Sequence, residues 1–389
     1  MAYLLLATLT HAQTLKNVLR KTLKDNPQVL SALENKIAAA HLLQQAVAQS
    51  LPKLDIFVAQ GGEYSNNPAT RAFGENNVKL WRSENRIFAE QPLFTGGRVP
   101  AEIARGKFDL SSTKNRLHGI REQIALLTSI AYINVLRSLE LIEVAKNNLQ
   151  IHKSTLVKVK KIYLGGAARR SDLELAIARL ALAQSRLVNA RAEYGLARNE
   201  YRAVVGVYPP GKLSYPHQLQ DKILPHSKTK AELYALHNNP FLLEAVDLVE
   251  VNRKQVKIAK SRFYPNINFE LSASKANSLD GIRGRNDDAL GLFVLDYNLY
   301  NGGGDIARVR EAIARVWQQQ YDKDQLQLEI TQSLQDGWTN YLANQDRIKY
   351  LNTYVTYSKA VARDFLLEYT LGQRGLFNVL DADNEAFLA

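Results

Sequence analysis

The chain has 389 residues, with 50 Lys and Arg against 38 Asp and Glu, a formal charge of +12, and no cysteine. Without cysteine there is no disulfide, no thiolate metal site, no cysteine nucleophile and no lipidated N-terminal cysteine. The excess positive charge permits an anionic partner, but the basic residues are scattered and neither a zinc-finger spacing nor an RNP-like aromatic motif accompanies them. Nucleic acid is therefore not an expected partner.

At the N-terminus, MAYLLLATLTHAQTL has a short apolar core at Leu4 to Ala7 and a small-x-small ending at Thr10 and Ala12, the form of a secretory cleavage site. It lacks a basic start, the first cation being Lys16. Residues 1–12 read as the remnant of a signal peptide, with a plain helix start as the other reading. Nowhere else is there an uncharged run of 18 or more apolar residues, so any membrane span is expected to be β.

The rest of the chain is written twice. Pro27 of DNPQVLSAL falls on Pro240 of NNPFLLEAV, and Pro52 of SLPKLDIF on Pro265 of FYPNINFE, an offset of 213. From PLFTGGR onward the offset is 206: Gly96 and Gly97 fall on Gly302 and Gly303, and Tyr163 and Gly166 on Tyr369 and Gly372. Such self-similarity marks a duplicated architecture. The first repeat is placed at 13–205, an irregular connector carrying Pro209, Pro210, Pro216 and Pro225 at 206–226, and the second repeat at 227–389.

Each repeat reads as helix, strand pair, very long helix, turn, helix. A first helix is expected from about Asp25 to Gln49. In INFELSAS, Ile267, Phe269, Leu271 and Ala273 alternate with polar residues, the period of a strand with one apolar face. ALGLFVLDYNL is its partner, and LDIFVAQGGEYS and NRIFAEQPLF form the first pair. Strands of about ten residues have the length a tilted strand needs to cross a bilayer. Gly96, Gly97, Gly302 and Gly303 then mark strand-to-helix turns.

Gly97 to Tyr163 and Gly303 to Tyr369 each span 66 positions, and the only proline in either is Pro100, where a helix start accepts it. As helices they would reach about 100 Å. Ala176, Leu180, Ala183, Leu187, Ala190, Tyr194, Ala197, Tyr201 and Val204 form a heptad seam in the helix of about Asp172 to Val205. In the long helix Leu117, Ile124, Ala131 and Ala145 share one register and Ile120, Leu127 and Leu141 the complementary one, with Asn134 and Ser138 as polar interruptions. The tip turns carry Gly165, Gly166 and Gly372. The fold class expected is mainly α with β, internally duplicated, with long coiled-coil hairpins and two β-hairpins. By analogy with the first repeat the last helix would run to about position 412, so it is expected to be truncated at Ala389, some 23 residues early.

DNPQV, SLPKLDI, QPLFTGGR, YLGGAARRSDL, NNPFLLEA, FYPNINFE, LYNGGGD and YTLGQRGLFNVLDA occur together in the order found in the TolC family of outer-membrane exit ducts, and over nearly the whole chain the sequence resembles that family. The resemblance implies a homotrimer giving four strands per subunit to one outer-membrane β-barrel, continued by a helical tunnel into the periplasm. It implies a periplasmic adaptor protein, an inner-membrane ABC or proton-driven transporter and outer-membrane lipid as partners. Type I protein secretion and small-molecule efflux are both typical of the family.

The same resemblance makes the two glycine turns periplasmic tips, and assigns a gate to Ser171 and Asp172 after the first and to Tyr369 and Arg374 at the second. Two acidic positions beyond the arginine correspond to Asn378 and Asp381, so one of two acidic rings is replaced by an amide. Read from the residues alone, a gate and the plainer alternative, Asp172 capping its helix and Arg374 solvated, stand equally, and the resemblance favours the gate. The cluster of Lys153, Lys158, Lys160, Lys161, Arg169 and Arg170 beside the first tip reads either as a partner surface or as a solvated helix face.

No catalytic constellation is found. NGGGD lacks the lysine and hydroxyl of a phosphate loop, the seven histidines form no HExxH, and no serine sits in GxSxG. No enzyme activity, metal or cofactor is expected. A soluble coiled-coil scaffold would explain the heptads but not the strand pairs, and a basic nucleic-acid binder would explain only the charge.

Overall fold

The computed structural model describes residues 14–216 and 225–389, so the signal-peptide reading at 1–12 lies outside the described residues. The elements in chain order are α1 (Leu15–Asp25), α2 (Pro27–Ala48), β1 (Lys53–Ser65), α3 (Pro68–Ala72), β2 (Val78–Thr95), α4 (Arg98–Leu164), α5 (Arg170–Val205), α6 (Lys228–Asn238), α7 (Pro240–Lys260), β3 (Asn266–Asn277), β4 (Arg285–Asp296), α8 (Gly304–Thr370) and α9 (Leu376–Leu388). α4 and α8 have 67 residues each, about 100 Å at the α-helical rise. Two compact units are formed, one from Met1–Ser31, His118–His237 and Glu329–Ala389, the other from Ala32–Leu117 and Asn238–Leu328.

The second unit holds one antiparallel sheet in the order β1-β2-β3-β4, in which β2 of the first repeat pairs directly with β3 of the second. Register explains its character. Ile56 stands opposite Ile87, Ile87 opposite Ala273 and Ala273 opposite Ala289, and beside that row run Leu54, Ala89, Leu271 and Gly291. Cross-strand neighbours share a face, so the alternation within each strand merges into one apolar surface. Phe269 and Phe293 extend it, their ring centroids 4.9 Å apart. The opposite face carries Glu84, Arg86, Glu90, Glu270 and Ser274, with Asn268 Nδ2 donating to Glu90 at 2.8 Å.

That apolar face is uncovered: Leu54, Ile56 and Leu295 are 67%, 70% and 64% exposed. β1 and β4 are the sheet's outer strands, with no further strand paired to them among the described residues. An apolar sheet face open to its surroundings is the pattern of a strand set facing lipid rather than water.

Two strands depart from the expected segments. β2 begins at Val78 instead of near Asn85, because its ladder with β1 continues to Ser65 opposite Val78, with Arg82 paired across it to Glu63 at 3.2 Å, and not because of an apolar alternation. β4 runs from Arg285 to Asp296 and stops before Tyr297, since Asp296 is the last partner β3 offers, opposite Asn266. The register of β2 shifts between Pro92 and Phe94, where proline has no N–H to give the ladder.

In the first unit the heptad seam of α5 packs as its spacing requires. Ala176, Ala183, Leu187, Ala190, Ala197 and Tyr201 are buried, while Val204 gives its place to Val205. Val18 of α1, with Ala131, Tyr132 and Val135 of α4, meets Ala197, Tyr201 and Val205 of α5 in one core. Small residues on α5 let the helices approach closely enough for the larger ones to interlock. Asn26 Nδ2, at the end of α1, donates to the Val204 carbonyl at 2.9 Å and ties α1 to the end of α5. Burial beside Tyr132 pushes the Tyr201 phenol up to about 12.

Only one of α4's two registers is used in this way. Leu117, Ile124, Ala131 and Ala145 are buried, whereas Leu127 and Leu141 are 39% and 40% exposed. An 18-residue stretch of α4 is apolar enough to cross a membrane by composition, with 39% of it buried in the chain. Two packing registers on one helix account for that apolarity without a helical span. α8 is barer still: of its described residues only Ala312 and Ala362 are buried.

The strand-to-helix turns are glycine pairs with left-handed backbone, φ +62° and +82° at Gly96 and Gly97 and +56° and +81° at Gly302 and Gly303. At Gly96 space forbids a side chain as well, since an added Cβ would lie 2.4 Å from the Ser261 carbonyl oxygen. Nothing lies within 4 Å of the equivalent point on Gly97. Gly97→Ala is expected to cost about 1–2 kcal/mol from backbone conformation alone. Gly96→Ala is expected to cost more than about 3 kcal/mol, read as a lower thermal midpoint of the detergent-solubilised protein. Equal midpoints for the two variants would contradict this.

Candidate functional site at the helical hairpin tips

The two glycine turns of the first unit are the same local structure. After α4, Gly166 N donates to the Tyr163 carbonyl at 3.0 Å and Ala167 N to Ile162 at 3.0 Å; after α8, Gly372 N donates to Tyr369 at 3.0 Å and Gln373 N to Glu368 at 2.9 Å. These paired bonds close the last carbonyls of a helix around one left-handed residue. Gly166 and Gly372 supply it, with φ +78° and +75°. Gly165 does not, and an added Cβ there would meet only ordinary contacts at 3.5 Å, which is why Leu371 stands at the corresponding place.

Four helices meet just above these turns. Val159 of α4, Ala176 of α5, and Leu376 and Leu380 of α9 form a core at 0–2% exposure, with Leu156, Leu175 and Tyr369 packed against it. Burial raises the Tyr369 phenol, and the Asp172 carboxylate raises it further. Asp172 and Tyr369, one from each repeat, are thus brought within electrostatic reach of each other.

The other predicted residues stand differently. Asp172 is the third residue of α5 and its Oδ2 accepts from Arg169 N at 3.2 Å, capping the helix. Ser171 is exposed. Arg374 Nε donates to the Glu368 carboxylate, and its guanidinium lies 3.6 Å from the centroid of Phe365. Within one chain Arg374 is therefore held on the last turns of α8. Asn378 takes the position in α9 that Asp172 has in α5, but the N-cap there, Gly375, has no side-chain bond. Asn378 and Asp381 are both exposed.

Sequence reasoning did not single out Glu368 and Phe365; the only signal was an acid six positions before Arg374, a spacing with no helical meaning once a turn intervenes. It also passed over a polar group farther along the same helices: Asn148, His152 and Thr155 of α4 and Asp383 of α9, each buried. Arg186 of α5 donates to Asn384 Oδ1 at 2.7 Å and lies 4.6 Å over Phe387, fastening α9 to α5.

An exposed apolar sheet face, two 67-residue helices with unfilled packing registers and paired glycine tips together define an outer-membrane channel protein. The sequence profile of the Outer membrane efflux protein family matches residues 18–207 and 234–389, and the chain belongs to that family. The outer membrane efflux protein BepC of Brucella suis is 23% identical over 380 residues, 96% of this chain and 80% of the relative. The alkaline protease secretion protein AprF of Pseudomonas aeruginosa is 22% identical over 377 residues, 94% and 78%. Among solved structures, the outer membrane protein VceC of Vibrio cholerae superposes with a TM-score of 0.82 at 18% identity, covering 96% of this chain and 90% of that one. The resemblance to the TolC family read from the motifs is in this way the family itself, and the chain is an outer-membrane efflux channel subunit with its helices in the periplasm.

Replacing Gly166 or Gly372 with Ala is expected to destabilise the tips by about 1–2 kcal/mol each, the left-handed cost without a clash. Gly165→Ala is expected to be neutral or mildly stabilising. Limited proteolysis at the tips, slow for G165A and faster for G166A and G372A, is the readout, and equal rates would refute the assignment.

Proposed function

We propose that three copies of this chain close one barrel and tunnel, which serves as the exit duct of an exporter and performs no chemistry of its own. The observation that carries this reading is the sheet: four strands, an uncovered apolar face, and outer strands β1 and β4 with nothing paired to them among the described residues. A barrel removes such edges only when more strands are supplied than one chain has. The half-exposed register of Leu127 and Leu141 on α4, and the bare length of α8, favour the same answer, because identical neighbours would fill them.

A passive duct needs an energy source elsewhere, so an inner-membrane ABC or proton-driven transporter and a periplasmic adaptor complete the pathway. The names of BepC and AprF point to efflux in one case and to secretion of a protease in the other. A duct that reads no chemical feature of its cargo accommodates both.

At the tips, the proposed gate is the set Ser171, Asp172, Tyr369 and Arg374, with Asn378 and Asp381 farther along α9. Support comes from the electrostatic reach of Asp172 on Tyr369 and from the position of Arg374 in the turn after α8, where its present partner is Glu368 of the same chain's α8. Charge-assisted hydrogen bonds of about 1–3 kcal/mol each, repeated in three copies, would hold the tips together and still yield to a binding partner.

Asp172→Ala combined with Arg374→Ser is expected to raise the closed-state conductance in planar bilayers by about tenfold, the effect of about 1.4 kcal/mol on a two-state gate. Unchanged conductance removes the gate but not the channel. The channel itself is tested by gel mobility: heat-modifiable trimers are expected, and a monomer at all temperatures would argue against assembly.

A further inference from the structure

Deep in the first unit, beyond the tip core, Asp383 of α9 is 8% exposed and its Oδ2 has no hydrogen-bond partner among the described residues. It lines a groove of about 360 Å³ together with Asn148 and Ile151 of α4 and Lys359, Ala362 and Arg363 of α8. Three further buried polar atoms stand on the adjoining stripe of α4 in the same condition: Asn148 Oδ1, His152 Nδ1 and Thr155 Oγ1. Positions 148, 152 and 155 are spaced to share one helix face.

An ionised carboxylate offers several acceptor sites and no donor, and in a buried place it requires donors or a paired cation. Asp383 has neither. Lys158 of α4 acts on it through space, and the two form no ion pair. Arg186 on α5 is committed to Asn384 and Phe387, and Glu385 on α9 accepts from Tyr354 at 3.1 Å. The group Asp383 lacks is a proton: a neutral carboxyl is cheap to bury and has an O–H to give to a neighbouring acceptor.

We propose that Asp383 is a proton-binding site whose occupancy sets how firmly α9 packs against α4 and α5, so that the packing of the second tip helix responds to acidity. This goes beyond the exit-duct reading and does not depend on it, since it concerns helix packing within one chain.

Burial raises the Asp383 carboxyl from 3.8 to about 6, with Lys158 opposing. A carboxyl raised on packing favours the packed state at low pH, and this advantage is lost as pH climbs from about 4 to about 6. His152 works in the opposite sense: burial, then Arg179 and Arg186, lower its imidazole, so acid disfavours packing through that residue. The test must therefore separate the two groups, and comparison with Asp383→Asn does so, because the His152 contribution is common to both proteins.

Hydrogen exchange of the α9 amides is measured in the full-length detergent-solubilised protein and in D383N, at about pH 5 and about pH 7.5. The ratio of protection, D383N over wild type, is expected to be about tenfold larger at the higher pH. A second variant, Lys158→Met, changes an exposed side chain and is expected to lower α9 protection near pH 7.5, because it removes the cation that eases ionisation of Asp383. It serves alone if D383N does not assemble. A protection ratio that does not change with pH, or a K158M protein that follows the wild-type curve, overturns the proposal, as does a pH response abolished by His152→Gln and untouched by D383N.

Discussion

A helix of 67 residues has about 100 Å of flank to cover, and nothing in a single chain of this size covers it on every side. α4 resolves half of the problem internally by burying one of its two apolar registers under α5 and α1, and leaves the other half open. α8, with two buried residues along its described length, leaves nearly all of it open. The sheet carries the same imbalance in β form, an apolar face without a cover and two strands without outer partners. For a water-soluble monomer these would be faults; for an outer-membrane channel protein an apolar sheet face is what lipid covers, and the remaining bare surfaces are those the proposed trimer would fill.

Duplication explains how so extended a chain keeps its register. Each junction is solved once and used twice: two left-handed glycines turn strand into helix, and one left-handed glycine with two back-bonds turns helix into helix. The copies then diverge only where geometry allows. Gly96 is fixed by the Ser261 carbonyl beneath it while Gly302 stands in open space, and Gly165 is matched by Leu371 because only the next residue needs the left-handed conformation. Asp172 and Asn378 show the same freedom at a helix start: one side chain caps, the other does not.

What was legible in the sequence was what has a period. The 66-position intervals appear as α4 and α8, six of the nine residues assigned to the α5 seam are buried, and the helix expected at about Asp25 to Gln49 is α2, Pro27–Ala48. What was illegible lacks one. α3 is short and set by a capping box between Asn67 and Thr70 in a loop of otherwise unpatterned residues; α1 is the exception, passed over although Leu15, Val18, Leu19, Thr22 and Leu23 recur at helical spacing. The first half of β2 carries charge pairs, which leave no apolar alternation to read. Among the residues of the proposed gate, the electrostatic coupling of Asp172 to Tyr369 crosses 197 positions of chain and the capture of Arg374 by Glu368 depends on the turn between them, so neither follows from local spacing.

The polar stripe of Asn148, His152, Thr155 and Asp383 belongs to a different category, because it interrupts a packing seam that apolar residues would stabilise better. Above it Ile142, Ala145, Leu187 and Ala190 form an ordinary core, and below it Val159, Ala176, Leu376 and Leu380 form another. A buried polar layer between two apolar ones weakens the seam at one level and leaves the layers on either side intact. The level at which these helices separate most readily is then set by chemistry and not by length. The apolar layer around Leu380 holds α9 at the tip, the Arg186 contact with Asn384 and Phe387 holds it farther along, and between them the helix is held by groups whose charge is not fixed. A seam made only of leucine and alanine would be tighter, and it would have no level at which acidity or a partner could act.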